Sequence, residues 1–302
     1  MTKYLIGTGG WAYFPLKPTL KTYSKVFNFV EVNSTFYTYP DLRTVERWRR
    51  SVPQDFTFTV RCHHQLTHKI GFTPTDDAYA VFSRMVGLCR ILNAAFLHLE
   101  TPEKYVLDEK KVKLARDFFS TVNFKGVGVA WEIRSPLTEK TVDLMHDFNI
   151  VHSVDLSRGE PALRSDVTYT RLFGKGKHNI YQFTDEELME IDQKILKAEA
   201  KMAIVSFHGV RMNSDALRFK KYKETNLFPP ATRFVGVDSA KAILSEDAKF
   251  PSTKTELIED QGWKVVDLTP TKRVHFSEWL MKIPEKTYNN LKEVIKALEA
   301  NK

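Results

Sequence analysis

Three carboxylate residues stand at the ends of short apolar runs, where acid–base chemistry or metal binding would need them. Glu31 lies inside one such run, and Glu132 and Asp155 each close another. A buried carboxylate without a partner is costly, so these side chains are expected to face a polar cavity or a cation. We predict that Glu31, Glu132 and Asp155 are catalytic, either as bases or as metal ligands.

Arginines occupy similar positions and can hold the anionic oxygens of a substrate. Arg61 ends the third run, Arg171 lies in the seventh, and Arg134 follows Glu132 by two residues. Residues two apart share one face of an extended segment. Arg134 and Glu132 therefore form either a plain salt bridge or a carboxylate beside an anion-binding guanidinium.

A segment rich in glycine and lysine, Gly174–His178, follows the seventh run. In β/α barrels this position is a common phosphate site, and paired glycines let backbone N–H groups converge on an anion. We predict that Lys175 and Lys177 bind a phosphate or sulfate group, the alternative being a flexible basic loop. Asn33 and Trp11, which follow the second and first runs, complete the predicted substrate-binding set.

Two histidines extend the chemistry that the carboxylates allow. His98 lies in the fourth run and His208 follows the eighth. If they converge with the carboxylates, they can bind a divalent metal such as Zn²⁺, Mn²⁺ or Mg²⁺. The alternative, which we favour, is a hydrogen-bonded polar cluster in which Glu31 pairs with Arg61 or Arg171.

The elements that carry these residues recur with a regular spacing. Helix-compatible segments separate most of the apolar runs, which predicts an α/β fold with a closed (β/α)₈ TIM barrel. The carboxyl ends of all strands then meet at one mouth. Eight strands are predicted: Tyr4–Thr8, Phe29–Asn33, Phe56–Arg61, Ala95–Glu100, Val127–Glu132, Ile150–Asp155, Thr168–Phe173 and Met202–His208.

The helices are less evenly distributed. The gap after Asp155 is too short for a complete crossover helix, so a loop is expected there. Leu227–Pro230 predicts a linker between a barrel at 1–228 and a small, mainly helical domain at 229–302, with a short strand at Phe234–Val237. Ten helices are predicted: Thr44–Arg50, Asp76–Leu92, Asp108–Phe119, Thr138–Phe148, Thr184–Ala200, Ser214–Lys223, Ser239–Ser245, Thr253–Gln261, Phe276–Met281 and Tyr288–Ala300.

Composition limits the kinds of binding partner and the cellular compartment that are expected for this protein. The net charge is +8, and all but +1 of it lies in residues 1–228. A basic barrel is consistent with an anionic substrate or a nucleic acid, although charge alone identifies no ligand. We expect a cytoplasmic protein without a membrane partner, because no long apolar run or secretion signal is visible and Cys62 and Cys89 are far apart.

Several short motifs along the chain occur in a characteristic order and spacing. They are Gly7–Trp11, Val30–Tyr37, Thr44–Trp48, Phe56–Val60 with Thr67–His68, Ala130–Arg134 and Tyr169–Leu172. These motifs resemble the YecE-like family, also called domain of unknown function 72. The resemblance covers about residues 4–224 and implies a TIM barrel without implying a settled activity.

The chain departs from the family pattern at the strand ends. His98 stands where the family typically has glutamine, Phe173-Gly174 replaces a histidine-glycine pair, and His208-Gly209 replaces an asparagine pair. The side chains at the barrel mouth are therefore expected to differ from those typical of the family. In the tail, Phe250–Ile258 and Leu280–Tyr288 are similar to a small helical domain of unknown function, 2795.

Two functions fit these residues. The first is a TIM-barrel hydrolase or lyase that acts on a phosphate-bearing substrate such as a nucleic acid. The second is a non-catalytic nucleic-acid-binding or adaptor protein, suggested by Lys220, Lys221 and Lys223 near Arg211 and Arg218.

Overall fold

A computed structural model of the chain describes residues 2–15 and 17–301. The chain divides into two compact units. The first comprises the residues up to Leu172 together with Lys194–Phe207, and the second comprises Phe173–Gln193 together with the residues from His208 onward. The expected domain boundary after residue 228 stays a prediction.

The first unit is built on eight strands that occupy the predicted positions to within a few residues. All their pairings are parallel, and strands two to six form one sheet while strands seven, eight and one form another. The strands are β1 (Lys3–Thr8), β2 (Phe29–Val32), β3 (Thr57–Arg61), β4 (Phe96–Thr101), β5 (Gly128–Ile133), β6 (Val151–His152), β7 (Val167–Leu172) and β8 (Met202–Phe207).

Two local features close these sheets into a barrel. A parallel bridge between Val154 and Thr170 joins the end of β6 to β7. Between β1 and β2, the Tyr23 hydroxyl accepts from the Thr8 backbone N–H and donates to the Phe29 carbonyl. A Cβ atom at Gly7 would lie 2.1 Å from that carbonyl oxygen, so only glycine permits the close approach of the strands. The predicted (β/α)₈ TIM barrel is confirmed.

The helices that alternate with the strands follow from capping and from apolar faces. In the longest of them, the Thr75 hydroxyl accepts from the Ala78 N–H at the start and Asn93 adopts a left-handed conformation at the end. As predicted, no helix separates β6 from β7. The helices are α1 (Leu20–Tyr23), α2 (Leu42–Arg50), α3 (Asp76–Leu92), α4 (Glu109–Thr121), α5 (Glu139–Asp147), α6 (Asp185–Lys197) and α7 (Met212–Thr225).

The C-terminal region is mainly helical, as predicted, but it also contains two antiparallel strand pairs that the sequence did not indicate. The strand expected at 234–237 is wrong, because Gly236 has a φ of +61° and α8 begins directly after it. The elements are α8 (Val237–Asp247), β9 (Ser252–Thr253), α9 (Lys254–Gln261), β10 (Val265–Asp267), β11 (Arg273–His275), α10 (Phe276–Leu280), β12 (Thr287–Tyr288) and α11 (Leu291–Ala300).

Buried apolar residues support each unit separately. The barrel interior has an apolar floor, formed by Leu5, Phe29, Phe96, Ala130, Val151, Tyr169 and Ile204. The C-terminal region has its own core around Phe276, Leu280 and Val294. Within the described residues, no helix is both long and apolar enough to cross a membrane.

Candidate active site at the barrel mouth

Strand register brings four sequence-predicted residues together above the apolar floor. Glu100 and Glu132 are direct neighbours on β4 and β5, and Arg61 on β3 is paired with His98 on β4. Side chains alternate along a strand, so every second residue faces the barrel interior. Glu31, Arg61, Glu132 and Arg171 therefore meet in one polar cluster with Glu100.

Arg171 is the centre of this cluster and is only 1% exposed. Its Nη1 lies 2.6 Å from Glu132 Oε2 and 2.8 Å from Glu100 Oε2, and its Nη2 lies 3.1 Å from Glu31 Oε1. Burial by itself lowers the pKa of Arg171, but the three carboxylates outweigh burial and raise that pKa well above its ordinary value. Arg171 is therefore a permanently charged bridge between three acidic strand ends.

Glu100 is the carboxylate with the most cationic partners. Its oxygens lie 2.6 Å from Arg61 Nη2, 2.8 Å from Arg171 Nη1 and 3.2 Å from Arg134 Nη1. Burial raises the pKa of Glu100, but the guanidiniums of Arg171, Arg61 and Arg134 together hold it below its usual range. Glu100 is thus ionised at neutral pH and orients the arginines around it.

A deeper polar layer lies beneath Arg171. The Tyr169 hydroxyl donates to Glu31 Oε2 at 2.8 Å and lies 2.8 Å from the Thr59 hydroxyl. Burial, followed by the charge of Glu31, raises the pKa of Tyr169 well above its ordinary value, so the phenol stays protonated and remains a donor. Glu31 itself has no exposed surface.

His98 belongs to the same deep layer. It is fully buried, its Nε2 lies 3.1 Å from the Ser153 hydroxyl, and the same nitrogen lies 4.0 Å from Glu132 Oε2. Its ring centroid is 5.0 Å from that of Tyr169. His98 is therefore held within the polar interior of the barrel.

Cationic groups form the solvent-facing layer of the mouth. The Arg134 side chain is 41% exposed while its Nε donates to Glu132 at 2.7 Å. Arg61 donates to Asn33 Oδ1 at 2.8 Å. His68, in the π-helical turn Gln65–Ile70, is 24% exposed and lies 3.9 Å from Glu100. Burial lowers the pKa of His68 despite the nearby carboxylate, so the ring is mostly neutral at pH 7.

Aromatic rings surround this layer along the segments that follow β2 and β3. The Arg61 guanidinium lies 3.7 Å from the centroid of the Phe36 ring. Tyr39 stacks on His63 with centroids 4.1 Å apart, and Arg84 lies over the Tyr39 ring at 4.0 Å. These residues, with the exposed Tyr37, make an aromatic rim beside the arginines.

The remaining predicted residues have other surroundings. Trp11 packs edge-to-face against Trp48 with ring centroids 5.2 Å apart. Asp155 Oδ1 accepts from the backbone N–H and hydroxyl of Ser157, at 2.9 and 2.6 Å, and so orders the turn that follows β6. These contacts suit structural roles for both residues beyond the ends of β1 and β6.

Lys175, Lys177 and His208 belong to the second unit. Lys175 Nζ lies 2.9 Å from Glu187 Oε1, Lys177 lies in the 3₁₀ turn Lys177–Asn179, and His208 stacks on Phe173 with centroids 4.9 Å apart. Among residues 2–15 and 17–301, no group of three or more His, Cys, Asp or Glu side chains is arranged to hold a metal ion.

Three residues of the cluster were not among the predicted site residues. Glu100 lies near the end of β4 as Glu132 lies near the end of β5. This equivalent position could have identified Glu100 as a site residue from the sequence. Tyr169 lies two residues before Arg171, so both face the interior. His68 lies in a π-helical turn, and no regular spacing of apolar residues in the sequence predicts such a turn.

A family model described as a protein of unknown function, DUF72, matches residues 5–230. The UPF0759 protein YunF of Bacillus subtilis is 27% identical over 168 residues, which are 49% of this chain and 59% of that protein. The UPF0759 protein YecE of Escherichia coli is 32% identical over 82 residues, 27% of this chain and 30% of that protein. The matches therefore span about three fifths of the first relative's length and less than a third of the second's.

A solved structure agrees with this assignment. A DUF72 family protein of Thermotoga maritima is 25% identical, has a TM-score of 0.61, and the match covers 74% of this chain and 99% of that one. The family match ends at residue 230, so the similarity of the tail to domain 2795 stays a prediction. The YecE-like resemblance is confirmed: the chain belongs to the DUF72 family of unknown function.

Proposed function

We propose that this chain is an enzyme that acts on a phosphate-bearing substrate at the barrel mouth, as a hydrolase or lyase. One observation carries the proposal: the carboxylates of the cluster are buried, whereas Arg134 and His68 reach solvent. A ligand that enters the mouth therefore meets cationic and neutral hydrogen-bond donors first. Such a surface favours an anionic group.

The roles differ from layer to layer. Arg134 and Arg61 bind the anionic oxygens, and Asn33 fixes the Arg61 guanidinium through its 2.8 Å contact. His68, mostly neutral at pH 7, accepts the proton of the water or hydroxyl group that attacks phosphorus. The bond from phosphorus to the leaving oxygen breaks, and His68 returns the proton to that oxygen. Glu132 orients Arg134 through their 2.7 Å contact.

Glu31 and Arg171 are positioning residues in this proposal. Both have at most 1% exposed surface, and each is saturated by bonds within the cluster. They hold the strand ends in register so that Arg134 and Arg61 are already oriented before substrate binds. Preorganised donors of this kind avoid a reorganisation cost in the transition state.

The test is phosphate release from a broad panel of phosphomonoesters and phosphodiesters, with and without Mg²⁺, Mn²⁺ or Zn²⁺. Arg134→Gln, His68→Gln and Glu132→Gln should each lower kcat/KM by about tenfold or more, because Arg134 touches the anion, His68 moves the proton and Glu132 orients Arg134. Affinity for inorganic phosphate, measured by calorimetry, should fall in Arg134→Gln.

Arg116→Gln is the matched control. Arg116 belongs to the same unit, its side chain is 40% exposed against 41% for Arg134, and it also pairs with a carboxylate, that of Asp147. Its replacement should leave turnover and phosphate affinity unchanged. No turnover across the panel together with no phosphate binding would rule the proposal out.

The aromatic rim favours a second candidate, binding of single-stranded nucleic acid without catalysis. Exposed aromatic rings beside arginines can stack on bases, and each stacked base contributes about 1–3 kcal/mol. Tyr37 is 63% exposed, and Phe36 lies against Arg61. Tyr37→Ala should then weaken binding to short oligonucleotides while Arg116→Gln does not.

The basic cluster of α7 gives this candidate less support. Lys220 and Lys221 share Glu224, and Lys223 lies 2.7 Å from Asp192. Paired charges release few counterions, so they contribute little to salt-dependent binding. Salt-dependent oligonucleotide affinity that survives Glu132→Gln would favour this second candidate. Absence of binding at low salt would remove nucleic acid from both candidates.

We also propose a cytoplasmic location. Cys62 and Cys89 are both buried and free, which supports a reducing compartment. Fractionation of the native source, with detection by antibody, tests this directly.

A further inference from the structure

The second unit contains a cavity of about 370 Å³ in the C-terminal region, beyond the family match. It is lined by Gly236, Leu268, Lys272, Val274, Glu278, Trp279 and Lys282. Small-molecule sites typically enclose about 300–1,000 Å³ and combine apolar walls with a few polar groups. This cavity has both the volume and the composition of such a site.

Trp279 provides a donor within this cavity. The residue is only 5% exposed, yet its indole N–H has no acceptor among the described residues. By contrast, the indole N–H of Trp263 in the same region donates to the Asp260 carbonyl at 2.8 Å. The Trp279 indole N–H is therefore available to donate to a ligand in this cavity.

Two lysines add positive charge to the same cavity. Lys272 precedes β11 and Lys282 follows α10, so separate elements bring them to one place. Neither ammonium group pairs with a carboxylate in the described part of the chain. Glu278 is the one acidic residue of the lining, which leaves a net charge of +1.

Apolar surface continues outside the cavity. Phe234 and Val235, next to the lining residue Gly236, are 52% and 46% exposed, and Met281, next to Lys282, is 58% exposed. A Cβ atom at Gly236 would meet only the Leu268 carbonyl oxygen, at 3.9 Å, so the wall at this point is open. Exposed apolar side chains beside a cavity are typical of ligand sites.

We propose that this cavity binds a small organic carboxylate with an apolar chain or ring. The apolar body contacts Val274, Leu268 and the Trp279 ring, a carboxylate oxygen accepts from the Trp279 indole N–H, and Lys272 and Lys282 neutralise the charge. The site uses no residue of the barrel mouth, so the proposal is independent of the function proposed above.

The experiment follows the indole N–H signals of the full-length protein by ¹H–¹⁵N NMR during titration with octanoate. Trp279→Phe identifies the Trp279 signal among those of the five tryptophans. Octanoate should shift that signal with saturation, and 1-octanol, which lacks the charge, should bind more weakly. A Trp279 signal that does not move at millimolar octanoate, or octanol binding as tight as that of octanoate, would overturn the proposal.

The double variant Lys272→Gln/Lys282→Gln should weaken octanoate binding by about tenfold, since two ion pairs near a surface are lost. Lys241→Gln/Lys296→Gln is the matched control, because both are exposed lysines of the same unit that do not line the cavity. Equal affinities in the two double variants would also overturn the proposal. Arg134→Gln should leave octanoate binding unchanged, so failure here is distinguishable from failure of the proposed enzymatic function.

Discussion

Replacement of Arg171 with methionine should destabilise the barrel by about 3–5 kcal/mol at pH 8, the cost of breaking a buried ion pair by removal of one partner. The cost is uneven among the carboxylates. Glu100 retains Arg61 at 2.6 Å, and Glu132 retains Arg134 at 2.7 Å. Glu31 loses its bonds to both Nε and Nη2 of Arg171. Most of the destabilisation should therefore come from Glu31.

A double variant isolates that contribution. In Arg171→Met/Glu31→Gln the buried side chain at position 31 is neutral, so no uncompensated charge remains there. The double variant should be more stable than Arg171→Met, although Glu31 is a partner of Tyr169 in the native protein. The free energy of unfolding is measured by urea denaturation followed by circular dichroism. Arg116→Met, at an exposed pair, should cost less than about 1 kcal/mol.

The destabilisation should also shrink as the pH falls from 8 to 5. In the native protein the pKa of Glu100 is held low by its arginines, so the stability this carboxylate contributes is present above its unfolded pKa and is lost as pH falls through the folded one. In Arg171→Met, burial should raise the carboxylate pKa values, and protonation at lower pH removes the penalty. A cost below about 1 kcal/mol, or one that is equal at pH 8 and pH 5, would refute this account.

Three other outcomes follow from buried groups. Tyr169→Phe removes the donor to Glu31 and should lower the free energy of unfolding by about 1–3 kcal/mol, whereas Tyr37→Phe, at an exposed ring, should not. Burial lowers the pKa of His152 to about 4, so the stability it contributes is complete above about pH 6.5 and is lost as the pH falls toward 4; NMR titration of its ring should show no protonation at pH 6. Burial raises the pKa of Cys62 to about 12 and also raises that of Cys89, so neither thiol should react with Ellman's reagent at pH 8 until urea unfolds the chain.

The barrel strands were predictable because each is a short, mostly buried segment rich in apolar and β-branched residues that ends in a polar cluster. Helix α3 was predicted to the residue, since Thr75 and Asn93 mark its ends. Strand β6 is shorter than expected because the chain pairs with β7 through a single bridge at Val154. The pair β10 and β11 was missed because strands of three residues are too short for any periodicity to emerge.

The site was predictable only as a set of strand ends. Alternation along each strand indicates that Glu31 and Arg171 face inward, but their contact spans 140 positions and depends on closure of the barrel. The sequence could not distinguish Asp155, which caps a local turn, from Glu132, which joins the cluster. Both close an apolar run before polar residues, and only the path of the following loop separates them.

The barrel mouth contains one buried guanidinium that stabilises the fold, that of Arg171, and one that is accessible to solvent, that of Arg134. This difference determines which of the two can contact a ligand. Arg171 bonds three carboxylates below the surface, and its release would leave Glu31 without a guanidinium partner, whereas Glu100 and Glu132 keep Arg61 and Arg134. Arg134 bonds Glu132 and Glu100 from above with 41% of its side chain exposed, so an anion can share it at little cost. Under the proposed function, the fixed cation beneath and the shareable cation above would let the barrel keep its structure while an anionic ligand binds to the mouth and leaves it. Under that proposal the carboxylates need not touch the ligand directly, because their role is to set the orientation of the arginines that would contact it.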